Sequence, residues 1–83
     1  MNILYFASIR EAVGVGSETV VPPADILTLA ALIDWLATRS PGHAAAFADR
    51  GRLRAAIDQE FAPMDASIAN AREIALFPPV TGG

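Results

Sequence analysis

Residues Leu76 to Gly83 read LFPPVTGG: two apolar residues, two prolines and a Val-Thr spacer ahead of a Gly-Gly end. The one group here able to do chemistry is a carboxylate at the tip of an arm without bulk. Pro78 and Pro79 stop a strand, since proline offers no N–H to a ladder, and hold the next residues extended. Val80, Thr81, Gly82 and Gly83 then reach from the body by up to roughly 13 Å, at about 3.3 Å per residue. Glycine has no side chain, so Gly82 and Gly83 can thread a narrow channel and let a partner backbone come close. An arm of this kind can carry its carboxylate into another protein's active site while the domain stays outside; the alternative is a frayed end without function.

Elsewhere the chemical inventory is thin. His43 is the single histidine and there is no cysteine, so neither a zinc site nor a thiolate can be assembled, and no metal is expected. His43 follows Pro41-Gly42 and is expected at the surface or in a cap. Gly14-Val15-Gly16 lacks the third glycine, the lysine and the helix of a phosphate loop, and predicts a turn. Asp58 and Glu60 share one face of an extended segment, but nothing places them across a cleft, and they predict a solvated turn. Trp35 is expected to pack, partly buried. All six basic residues are arginine. Without lysine the chain has no side-chain amine for Schiff-base chemistry or for accepting an acyl group.

The elements that must position the arm follow from apolar spacing. With 83 residues, 53% of them apolar, the chain makes one domain with an adequate core. Its net charge of −3 opposes binding to nucleic acid or to an anionic membrane. MNILYFASIREAV has no basic leader or cleavage site, and no apolar run nears the length of a membrane span. A soluble, cytoplasmic domain is the expectation.

Residues 2–8 predict a strand, 10–13 a short turn of helix, and Glu18–Val21 a returning strand closed by Pro22-Pro23. Thr28 is an N-cap for one amphipathic helix over 29–39, with Leu29, Leu32, Ile33 and Leu36 as its stripe. Ser40-Pro41-Gly42 reads as its stop, with a short second helix within 43–49. A strand follows at 52–57, Asp58 to Phe61 turns and begins a short partner strand that Ala62-Pro63 breaks, and the last strand is Glu73–Phe77. The fold class is α+β: a mixed sheet packed on one main helix, of the β-grasp kind, with the first and last strands paired parallel at its centre. The domain spans 1–77 and the extended tail 78–83.

Strand parity then isolates an outer face. If Ile3, Tyr5, Ile57, Ile74 and Leu76 face the helix, Phe6 and Phe77 point away from it, and Phe61 can join them. Three phenylalanines grouped on an exposed sheet face exceed the scattered apolar surface of a monomer and suit a protein interface.

The opening LYFASIRE, the helix start at Thr28, the AAIDQEF segment and the closing EIALFPPVTGG together resemble the MoaD/ThiS group of ubiquitin-like sulfur carriers. Within it the likeness is to the molybdopterin synthase small subunits, and FPPVTGG is its most specific part. The resemblance implies a ubiquitin-like β-grasp and makes Gly83 the reacting residue. A ubiquitin-activating-enzyme-like adenylyltransferase would use ATP to adenylate its carboxylate, and a sulfur donor would replace AMP to leave a thiocarboxylate. The large subunit would take in residues Pro78, Pro79, Val80, Thr81 and Gly82 and hold the substrate, cyclic pyranopterin monophosphate. The assembly would be a heterotetramer of two small and two large subunits. The chain alone would bind no cofactor, and catalytic groups would lie on the large subunit.

Family interface positions match Phe6, Phe61 and Phe77, and a family arginine matches Arg10. Phe61 stands where an aliphatic residue is common, and Leu76 where a second aromatic is frequent. Carriers for thiamine synthesis or tRNA thiolation, a ubiquitin-like modifier joined through Gly83 to lysines, and a plain binding module are the alternatives.

Overall fold

A computed structural model describes residues 1–80 of the chain. These run as β1 (Asn2–Tyr5), α1 (Ala7–Val13), β2 (Ser17–Thr19), α2 (Leu29–Ala37) and α3 (Pro41–Ala46). A 3-10 turn at Arg50–Arg52 then leads into β3 (Arg54–Ile57), β4 (Glu60–Ala62) and β5 (Glu73–Phe77). The sheet order is β2-β1-β5-β3-β4, with β1 and β5 parallel and every other neighbour antiparallel. The pairing of the two most apolar strands at the centre is the expected one, and the helices all lie in the β1-to-β5 crossover or near it.

α2 forms where the apolar stripe repeats at helical spacing. The Thr28 hydroxyl accepts the Ala31 N–H at 3.2 Å and so supplies the predicted cap. Leu29, Leu32, Ile33 and Leu36 are fully buried against Ile3, Ile74 and Leu76 of the sheet and Leu53 just ahead of β3. Removing such a side chain, as in Leu32→Ala, costs about 2–5 kcal/mol. The helix ends at Ala37, two residues before the expected limit, where the Thr38 hydroxyl donates to the Trp35 carbonyl at 2.6 Å. Trp35 is half-buried, with the Arg39 guanidinium 5.0 Å from its ring centroid.

The boundaries of β1 and around α3 differ from the sequence reading, while the end of α1 after Val13 agrees with it. β1 stops at Tyr5 rather than at residue 8, because Ala7 takes a φ of 49° and turns the chain into α1, which buries Ile9. Gly14, at φ 97°, ends α1 in the left-handed region that glycine enters without penalty. Ser40-Pro41-Gly42 is a start as much as a stop. The Ser40 hydroxyl caps α3 by accepting the His43 N–H at 3.1 Å, and Pro41 opens the helix where its missing N–H goes unneeded. Gly42 has a packing role besides: a Cβ there would lie 2.4 Å from the Ala12 carbonyl oxygen of α1.

His43 belongs to the cap of α3, one of the two places expected, but it is buried and not at the surface. It is 8% exposed, and its Nε2 lies 2.6 Å from Glu18 Oε2 while its Nδ1 lies 2.7 Å from the Ser40 hydroxyl. The Tyr5 hydroxyl donates to the same Glu18 oxygen at 2.7 Å, and Arg39 donates to Oε1 at 3.3 Å. Burial would raise the Glu18 pKa. Hydrogen bonds from His43 and Tyr5 and the charges of His43 and Arg39 outweigh it, and the net direction is down. Burial above all, then the Glu18 bond and charge, pushes the Tyr5 phenol up. This network fastens α3 and the end of α2 to the β1–β2 side of the sheet.

Candidate interface and tail exit

The residues expected to meet a partner sit on two neighbouring rows of the outer sheet face. One row runs Leu4, Ala75, Ala56, Phe61 across four strands. In the next, Phe77 is paired with Arg54, and the parallel register continued past Tyr5↔Leu76 sets Phe6 beside Phe77. The Phe6 N–H donates to the Leu76 carbonyl at 3.1 Å, which fixes it there. Alanine at 56 and 75 leaves the first row shallow, so larger rings on either side stand above it. Phe61 and Phe77 meet diagonally, with ring centroids 5.8 Å apart and planes 57° from parallel.

Phe61 is 84% exposed and Phe6 47%, while Phe77 is half-buried. The fourth phenylalanine, Phe47, packs on the opposite side against Tyr5, so the 40–50 segment leaves the outer face open. Phe61, Phe77, Pro63, Pro79, Val80 and Arg54 line a groove of about 520 Å³. Arg10 is not part of that lining. Its guanidinium packs over Gly16, 3.3 Å from where a Cβ on that glycine would stand.

β5 ends at Phe77, and Pro78, Pro79 and Val80 continue outside any regular element. The two prolines are half-buried against the body and Val80 is exposed, so the chain leaves along the rim of the groove. Thr81, Gly82 and Gly83 lie outside the described residues. Asp58 and Glu60 do not form a site. Asp58 and Gln59, at φ 49° and 74°, make the tight β3–β4 turn, and Asp58 Oδ1 accepts the N–H groups of Arg72 and Glu73 at 3.0 and 2.9 Å. Among the described residues no group of three or more potential ligands could hold a metal, and no helix is long and apolar enough to cross a membrane.

A family model, the ThiS family, matches residues 3–83. The chain belongs to the ThiS family. It is 39% identical over 83 residues to the molybdopterin synthase sulfur carrier subunit of Haemophilus influenzae, covering 100% of this chain and 99% of that one. It is 40% identical over the same span to the subunit of that name from Escherichia coli, with the same coverage. Among solved structures, SAMP1 from Haloferax volcanii superposes with a TM-score of 0.72 at 27% identity, covering 100% of this chain and 98% of that one. A candidate molybdopterin converting factor subunit 1 from Pyrococcus furiosus gives a TM-score of 0.75 at 23% identity over 95% of each chain, a likeness of fold alone. The β-grasp, ubiquitin-like fold of this ThiS-family chain is thereby shown.

The polar network around His43 was not legible in the sequence. Its members are spread over residues 5, 18, 39, 40 and 43, and only strand pairing and helix docking bring them together. Arg54 was likewise passed over, although its place in an alternating strand opposite Phe77 follows from parity once the pairing is known.

Proposed function

We infer that this chain is the sulfur carrier subunit of a molybdopterin synthase. The observation that carries the inference is full-length identity of 39–40% to subunits of that name, in a chain whose own sequence closes on Gly-Gly. Gly83 is the working residue. A carboxylate oxygen is a poor leaving group, and an adenylyltransferase corrects this by joining the carboxylate to AMP from ATP and releasing pyrophosphate. The outer sulfur of a donor persulfide then displaces AMP to give an acyl disulfide, and a second donor thiol cleaves its S–S bond, leaving the sulfur on Gly83 and a disulfide on the donor. The resulting thiocarboxylate is anionic near neutral pH and more nucleophilic than the oxygen form. With no cysteine, the chain has no other atom on which to carry transferable sulfur.

The large subunit is the second partner. In this reading it covers Phe6, Phe61 and Phe77, accepts Pro78 to Gly82 in a narrow entrance, holds the pterin and supplies acids and bases. The Phe61–Phe77 pair on the outer face beside the tail exit supports that docking. Two carriers in turn supply the two sulfurs of the dithiolene, which a heterotetramer of two small and two large subunits accommodates. ATP and pterin belong to the partners, Arg10 would contribute at the edge of the contact, and the setting would be the cytoplasm.

Intact-mass analysis of chain isolated from its native cell tests this. A fraction shifted by one oxygen-to-sulfur exchange, localised to Gly83, is expected. An unmodified carboxylate throughout, or a ladder of isopeptide adducts, would remove the reading. Deleting Gly83, or adding one residue after it, should abolish sulfur transfer while thermal unfolding stays unchanged.

A further inference from the structure

The groove that receives the partner is apolar except for one fixed charge. Arg54 opens β3 on the outer face, directly opposite Phe77 and one row from Phe61. Its Nη1 donates to the carbonyls of Gly51 and Leu53 at 3.1 and 3.0 Å, which holds the guanidinium at the rim. Among the described residues it makes no ion pair, and Nε and Nη2 have no acceptor. The arginines that do have acidic partners, Arg39 and Arg50, lie on the helix side with Glu18 and Asp34.

A partner that covers Phe61 and Phe77 must also cover Arg54. Taking a guanidinium out of water without a counter-charge is strongly unfavourable and offsets much of what two phenylalanines contribute. We propose that Arg54 determines which partner the groove accepts, by pairing with a carboxylate that the large subunit presents beside its aromatic contacts. Guanidinium geometry suits this, since Nε and Nη2 form a fork able to grip both oxygens of one carboxylate. The chain as a whole carries a charge of −3, so an acidic partner side chain is repelled by most of its surface and drawn to this position. The proposal rests on the functional reading above and adds to it the chemistry of the opposing surface.

The test is the affinity of the purified chain for the molybdopterin synthase large subunit of the same organism, measured across a salt series. Arg54→Gln and Arg54→Leu should each weaken binding roughly ten- to a hundredfold at low salt and flatten its salt dependence. Arg54→Glu should weaken it further, and one acidic-to-arginine change on the large subunit should restore it. Phe61→Ala should weaken binding to a similar extent at every salt concentration. Because Arg54 is exposed, the unfolding temperature of the free chain should hold in all three variants. The leucine variant is the sharpest arm. If the guanidinium merely interrupts an apolar contact, Arg54→Leu binds as tightly as the natural chain or more tightly, and the proposal falls. It falls too if no acidic position on the large subunit rescues Arg54→Glu. A natural chain that fails to bind the large subunit at any salt concentration would instead sink the functional reading itself.

Discussion

Glu18 shows how one side chain can carry a pH dependence unrelated to the reactive end. Its carboxylate takes hydrogen bonds from Tyr5 and Arg39 and pairs with His43, whose far nitrogen is held by Ser40. Because these partners hold its pKa below the ordinary value of 4.5, the ionised form is favoured in the folded state. The stabilisation is therefore complete above that value and is lost as pH falls through the lower folded one. Glu18→Gln keeps the shape but not the charge, and should cost about 1–3 kcal/mol near pH 7. Denaturant unfolding from pH 7 to pH 3 should show the gap between natural chain and variant closing below about pH 4.5. A gap that stays constant over that range would mean the carboxylate is not held in its charged form by these neighbours. Tyr5 and His43 also meet edge-on, with ring centroids 5.9 Å apart, so the network is packed as well as bonded.

At the scale of elements, what the sequence made legible follows a simple rule. α2, the central pairing of β1 with β5 and the bounds of β5 could be read because apolar periodicity and local stop signals both point one way there. The stop of β5 before Pro78 and the outer position of Phe6, Phe61 and Phe77 were legible too, one from proline chemistry and the other from strand parity. α3 was read only in part, because Ser-Pro-Gly can end one helix and begin the next, and which it does depends on what packs above it. The packing is decisive at Gly42, which lets α3 approach the α1 backbone at Ala12. Gly42→Ala would favour the helix by intrinsic propensity, yet its Cβ meets a backbone oxygen that cannot swing aside. We expect a net loss of about 1–3 kcal/mol, the usual cost of overpacking. Thermal or denaturant unfolding of the variant would measure it, and an unchanged or raised stability would show that α1 and α3 can separate freely. Since α1 begins right after Phe6, the same variant should shift amide resonances from Phe6 through Val13 in an NMR spectrum.

On the scale of the whole molecule, the sheet topology gathers every feature of the proposed function at one end. Parallel pairing brings the C-terminal ends of β1 and β5 together, and antiparallel pairing puts the first residue of β3 beside the last of β5. Phe6, Phe77, Arg54 and the tail exit therefore share one end of a body measuring 36 × 27 × 20 Å. From Val80 the remaining three residues reach at most about 10 Å, so any active site that takes Gly83 must come close to the groove. A typical interface covers about 800 Å² on each partner, roughly a sixth of the 4937 Å² surface of this chain. Under the proposed function an adenylyltransferase and the large subunit would each take Gly83 through that end, so the two would not occupy it together. The large subunit should then act as a competitive inhibitor of adenylation, raising the apparent KM for the carrier in proportion to its concentration while kcat stays fixed. Phe61→Ala in the carrier should relieve that inhibition, because it weakens the hold of the large subunit. A stable ternary complex on size-exclusion chromatography, or inhibition that lowers kcat alone, would show that the two partners approach from different sides and that the shared end is not what orders the two steps.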